Sequence, residues 1–196
     1  DKSIISIANP FRYFLAKFIS SKREKEAQKI YSEIGGKSPI LEETQDQASK
    51  LQAYLDKKIS KIDYKIFISM RYWHPFSGET IKQVENYNPD EVVLLPLYPQ
   101  FSTTTTRSSI RDWLDQEVKN NLNYPTRIIC CYPFNEDFLE SHVNLIRDKL
   151  KKIRNKSNIK LLFSAHGLPQ KVIDKGDPYQ WQVEQTANYI LNSSSY

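Results

Sequence analysis

Residues 91–106, EVVLLPLYPQFSTTTT, join a nearly continuous apolar run to a proline-broken loop and then to a row of hydroxyl side chains. The run at 91–95 is rich in β-branched and large apolar residues and stops at Pro96, which is how a buried strand reads. Beyond the hydroxyls, apolar residues recur three and four apart from Thr106 to Lys119, the spacing of a helix. Strand, loop and helix in that order form the repeating unit of an α/β fold.

The same pattern recurs on both sides. Residues 65–70 (KIFISM), 127–132 (RIICCY) and 159–164 (IKLLFS) read as further strands. Helical spacing runs through 77–87 and 136–153, where Leu139, Val143, Ile146, Leu150 and Ile153 share one face. A last helix starts near Pro178 or Tyr179 and reaches about Leu191. Near-continuous rather than alternating apolarity predicts parallel strands covered on both sides. The expected fold is α/β, a Rossmann-like parallel sheet with helices on both faces. The polar joint 155–158 (NKSN) reads as a domain boundary, and the serines 193–195 as a frayed end.

The first sixty residues are different. Phe11, Tyr13, Phe14, Leu15, Phe18 and Ile19 crowd too many large apolar groups together for one narrow face, and a highly charged stretch follows from Lys22 to a break at Gly35-Gly36. Two readings stand: a helix whose apolar half packs into the sheet, or one that lies at a pocket mouth or membrane surface.

Composition narrows the function classes. With 39% hydrophobic and 26% charged residues over 196 positions, the chain is ordinary for a globular protein and long enough for a sizeable core. No apolar run approaches the roughly 20 residues of a membrane-spanning helix. Cys130 and Cys131 are adjacent and have no partner at ligand spacing, which argues against a disulfide framework, a zinc site or an iron–sulfur cluster and fits a reducing compartment. The net charge of +5 is dispersed among acidic residues with no basic block, so nucleic acid is not expected as a partner. A basic surface also suits an anionic small molecule or lipid headgroups. The chain opens on Asp1 with no signal peptide in view, and reads as trimmed. The expected location is the cytoplasm, with association to a membrane through residues 11–19.

Open α/β sheets bind ligands beyond the carboxyl ends of their strands. Three loops there carry reactive side chains: 70–75 (MRYWHP), 96–106 (PLYPQFSTTTT) and 164–169 (SAHGLP). His74 and His166 sit in these loops, whereas His142 belongs to a helical stretch, at the edge of its apolar face. An imidazole in general titrates near neutral pH, so His166 beside Gly167 can take up a proton or bind a metal; the alternative is a loop histidine bonded to nearby carbonyls. His74, among Tyr72, Trp73, Pro75 and Phe76, has an aromatic-packed structural alternative. The hydroxyl run 102–106 before a helix can cradle an anion or simply cap the helix. Gly35-Gly36-Lys37-Ser38-Pro39 lacks the first glycine of a phosphate loop. No Ser-His-Asp order, zinc-protease motif or dinucleotide fingerprint occurs. What accumulates is a site of aromatics, hydroxyls, arginines and histidine, suited to a large, flat, apolar ligand with anionic groups.

Taken together the loops resemble the ferrochelatase family. LLFSAHGLPQKVIDKGDPY (161–179) is similar to that family's signature around its active-site histidine, and LPLYPQFSTTTT (95–106), MRYWHPF (70–76) and YSEIGGKSPI (31–40) match in the family's order and approximate spacing. The resemblance implies insertion of Fe(II) into protoporphyrin IX to form protoheme, two Rossmann-like halves and a porphyrin cleft. It implies residues 1–154 as the first domain, with a pocket-lip helix and its first strand absent, and 155–196 as the start of the second. His166 would be the catalytic residue, accepting a pyrrole proton or placing the metal. Arg23, Tyr31 and Ser38 would hold porphyrin propionates, and Arg71, Tyr72 and Tyr98 would line the pocket, with His74, Ser102 and Thr104 also on the substrate. The acidic partner of His166 would lie outside this chain. Iron is substrate here, and no resident cofactor is implied. Alternatives are a binding module for a tetrapyrrole or metal, and a chelatase for another metal or tetrapyrrole. One position departs from the pattern: Arg107 stands where the family has Gly in STTTTGSS. If that site needs glycine's backbone freedom, Arg107 strains the loop; if not, it adds a cation.

Overall fold

The structure, a computed structural model, describes residue 8, residues 10–154 and residues 159–193. The expected joint at 155–158 and the serines 194 and 195 lie outside these described residues. The fold is α/β: helix-rich, with a small parallel sheet. The described residues form two compact units, one within Asp1–Pro89 and Asp115–Leu122, the other within Asp90–Leu114 and Asn123–Tyr196.

In the first unit, α1 (Phe11–Ser32) and α2 (Ile40–Lys58) precede α3 (Ser77–Tyr87). Gly35 and Gly36, at φ +96° and +84°, end the run of α1; the Gly36 N–H donates to the Tyr31 carbonyl at 2.7 Å. Both angles lie where a Cβ is disfavoured, which is why glycine stands there. None of α1's residues is buried, and Phe11, Phe14 and Phe18 are exposed. Ile40–Lys58 carries no element in the sequence reading yet is helical, with Glu42 and Glu43 in its first turn and Lys57 and Lys58 in its last. That polarity matches the helix dipole. α3 has the expected bounds and buries Ile81 and Val84 along with Ser77 and Thr80.

In the second unit, β1 (Val92–Leu94) pairs in parallel with β2 (Thr126–Ile128), Val93 facing Arg127. α4 (Thr106–Lys119), whose residues from Asp115 onward count with the first unit, links the two strands along the chain, as a parallel pair requires. Asn135 caps α5 (Glu136–Lys151), its side chain accepting the Phe138 N–H at 2.9 Å. α6 (Gln170–Ile173) is a single turn, and α7 (Tyr179–Ser193) packs on α5. Leu139 and Val143 of α5 and Ile190 of α7 form the core there, with Phe138 and Ile146 against it. The face expected of residues 136–153 is the one buried, although the helix stops at Lys151.

Two of the four expected strands form no ladder among the described residues. A strand needs a neighbour to exchange hydrogen bonds with. In 65–70 the Ile68 carbonyl is taken by the Thr80 hydroxyl at 2.7 Å, and Met70 N–H turns to the Pro75 carbonyl at 2.8 Å. Local partners thus satisfy this run, apart from one bridge between Met70 and Phe76. Residues 159–164 have no regular secondary structure, and Leu162 is 87% exposed rather than buried.

Arg107 sits in the first turn of α4, and among the described non-glycine residues only Asn88 and Asn121 have positive φ. No left-handed geometry is needed at this position. Arg107 adds an exposed cation without strain.

Candidate functional site

The loop after β1 shows what the hydroxyl run does. Ser102, 1% exposed, exchanges a hydrogen bond with the Thr104 hydroxyl at 2.8 Å and accepts the Thr104 N–H at 3.1 Å. An anion does occupy this cradle, and the chain supplies it. Asp177, immediately before Pro178 and α7, accepts on Oδ2 from Ser102 Oγ (3.0 Å), Thr103 N–H (2.7 Å) and Thr103 Oγ1 (2.7 Å). Its Oδ1 accepts the Tyr179 N–H at 3.0 Å, capping the start of α7. Burial alone pushes this carboxyl's pKa up; the bonds from Thr103, Tyr179 and Ser102 outweigh it and hold the group below its usual range. The clasp extends along α7. Gln182 Oε1 accepts the Phe101 N–H at 2.7 Å, and Gln100 Nε2 donates to Thr186 Oγ1 at 3.3 Å.

His166 follows the irregular run 159–164 and is exposed. Its Nδ1 lies 2.9 Å from the Gly167 carbonyl, which can only accept, so Nδ1 is the donor and Nε2 takes no part in this bond. Nε2 is thus the ring nitrogen available to a proton or a metal. His166 borders a cavity of about 320 Å³ whose walls include Gln100, Phe163, Tyr179 and Ile190. His142 borders it too, although the sequence places it at a helix edge apart from the loops. It is held the same way, Nδ1 donating to the Phe138 carbonyl at 2.9 Å with the Phe138 ring edge-on at 4.6 Å. Among the described residues no group of three or more His, Cys, Asp or Glu is arranged to hold a metal. Tyr98, exposed in the same unit, does not border this cavity.

The other candidates belong to the first unit. Arg23 and Tyr31, two turns apart on α1, border a shallow groove of about 240 Å³ with Glu26, Ala27 and Ile30. Ser38 is exposed, its hydroxyl accepting the Ile40 N–H at 3.4 Å at the start of α2. The Arg71 guanidinium lies over the Tyr72 ring at 5.1 Å, a cation–π pair. His74 Nδ1 meets Glu79 Oε1 at 2.8 Å, and Phe76 stacks edge-on to the imidazole at 4.5 Å. Glu79 also accepts the Phe76 N–H at 2.8 Å, and chiefly for that reason its carboxyl is held below the usual range. One ring nitrogen of His74 is thus engaged, while its side chain stays 62% exposed. Arg23 and Tyr31 share a surface, as do Arg71 and Tyr72, while Ser38 and His74 each have local partners only.

The family model for ferrochelatase matches residues 1–196, the whole chain. The chain belongs to the ferrochelatase family. A ferrochelatase of Rickettsia bellii (strain OSU 85-389) is 53% identical over 191 residues, which cover 97% of this chain and 52% of the relative. One of Wolbachia sp. subsp. Drosophila simulans (strain wRi) is 51% identical, covering 97% of this chain and 60% of its own length. One of Pelagibacter ubique (strain HTCC1062) is 47% identical over 193 residues, covering 98% and 55%. The chain spans about half the length of the curated ferrochelatases it matches.

The residue that motif reading missed is Asp177. Its signal was present: Asp before Pro at a helix start is a capping pattern. That it would also hold residues 102 and 103, some 75 positions away, has no signature in the linear sequence.

Proposed function

We propose that this chain forms part of an enzyme, a lyase of heme biosynthesis, that inserts Fe(II) into protoporphyrin IX. His166 is the catalytic residue. Two pyrrolic protons must leave as the metal enters, and Nε2 of His166, the ring nitrogen not used in the Nδ1 bond to the Gly167 carbonyl, can take one up or help to place the iron. His166, bonded through Nδ1 and placed at the edge of a partly apolar cavity, is the observation that carries the reading.

The remaining roles follow the chemistry of the ligand. Arg23, Tyr31 and Ser38 bind propionates, for which a guanidinium and hydroxyls are apt donors. Arg71, Tyr72, Tyr98 and His74 line the porphyrin's path, and Ser102 and Thr104 hold the loop that presents Tyr98. No helix among the described residues is long and apolar enough to cross a membrane. The exposed Phe11, Phe14 and Phe18 of α1 instead support peripheral contact with a bilayer on its cytoplasmic side, where a poorly soluble porphyrin would be received.

The test is anaerobic insertion of Fe(II) by the whole protein, followed as loss of protoporphyrin IX fluorescence. Insertion is expected for the wild type, with His166→Ala lowering turnover by roughly 10²-fold to 10⁴-fold, the usual contribution of a positioned proton acceptor. Normal insertion by His166→Ala would remove His166 from the mechanism. Porphyrin binding without insertion by the wild type would make the protein a binding module.

A further inference from the structure

Two segments of the second unit carry candidate functional side chains, the loop with Tyr98, Ser102 and Thr104 and the segment with His166. The second has no regular secondary structure from 159 to 169, so its own backbone does little to hold it. It runs through the single turn α6 into a tight reversal, where the Gly176 N–H donates to the Ile173 carbonyl at 2.8 Å and Gly176 takes φ +86°. Asp177 comes next.

We infer that Asp177 is a positioning residue for the reaction at His166: its carboxylate fastens the end of the His166 segment to the 102–104 loop and keeps both in one register. Four neutral donors converge on a side chain in a residue only 6% exposed, three on Oδ2 from the loop and one on Oδ1 from α7. The division of labour requires a carboxylate. An amide has one accepting oxygen, so Asn would satisfy the loop or the helix start and turn its NH₂ against the donors on the other side. Gln182 and Gln100 continue the clasp but join the loop to α7 alone. Tyr179, whose N–H Asp177 accepts, borders the same cavity as His166, so displacement at 177 reaches the cavity wall directly.

The inference rests on the proposed iron insertion for its kinetic readout, and a second readout stands without it. In the whole protein, well below its melting temperature, Asp177→Asn is expected to lower kcat roughly 10-fold to 100-fold, the scale on which a displacement of about 1 Å acts. KM for protoporphyrin IX should change much less. Thr103→Val, which removes one donor and keeps the fold, should lower kcat by a smaller factor. The double variant should be no slower than Asp177→Asn, since both act on one contact. A folded Asp177→Asn with kcat within twofold of wild type overturns the inference, and so do reductions that multiply. Should Asp177→Asn fail to fold, Thr103→Val decides alone: unchanged kcat overturns the clasp, and lowered kcat at an unchanged melting temperature upholds it. Histidine-¹⁵N NMR is the independent readout. The clasp predicts that Asp177→Asn or Thr103→Val shifts the imidazole signals of His166 and leaves those of His74 in place. If the wild type inserts no iron yet these signals move, the iron reading falls and the clasp stands; if they do not move, the clasp falls.

Discussion

α1 and α5 contain comparable apolar material and meet opposite fates. In α1 the large groups crowd into residues 11–19 and point around the helix, so no single stripe exists, and none of its 22 residues is buried. In α5 they recur three and four apart, and Leu139 and Val143 are 3% and 0% exposed against Ile190 of α7. Burial follows the spacing of apolar residues and not their number, because only a stripe can meet one partner surface. The helix starts differ in the same sense. Asn135 accepts a backbone N–H of α5, whereas Pro10 before α1 offers no side-chain cap.

The comparison is broken most directly at the α5 core. Leu139→Ala is expected to cost about 2–5 kcal/mol, the usual range for emptying a buried leucine site, measured by chemical denaturation. A loss under 1 kcal/mol would mean that the α5–α7 contact does not organise the second unit. Removing the α5 cap with Asn135→Ala should cost about 0.5–2 kcal/mol in the same assay, while Asn135→Gly should cost only a few tenths relative to wild type. At the small end, Phe14→Ser in α1 should leave stability within about 0.5 kcal/mol, as exposed substitutions usually do. The same variant should weaken retention on phosphatidylglycerol-containing vesicles. Unchanged retention removes the membrane role of α1, and a large stability loss shows that Phe14 is packed after all.

Legibility in the sequence varied with the range of the interactions involved. Helices α3, α4, α5 and α7 were legible to within a few residues because their signals, apolar period and end residues, are local. Strand pairing is not local. Residues 65–70 and 159–164 have the composition of the two runs that do pair, yet Thr80 takes the Ile68 carbonyl of the first, and Leu162 of the second stays in solvent. α2 shows the reverse: none of its residues is buried, so its apolar positions answer to no core contact. At the candidate site, His166 was identifiable as a histidine after an apolar run and before glycine, and the hydroxyl run 102–106 as an anion cradle. The anion itself was not, because Asp177 is distant in the chain.

The sequence alone determined the class of fold, the family and the chemical inventory of the site. These depend on residue types in order, and the ordered loops 31–40, 70–76, 95–106 and 161–179 state them without reference to space. Only the tertiary structure decided which runs pair as strands, that Arg107 sits in a helical turn without strain, that His142 borders the same cavity as His166, and that Asp177 fills the cradle of 102–104. Each of these is a matter of which group competes successfully for a given hydrogen bond or surface. That competition is settled by proximity in space, for which distance along the chain is no guide.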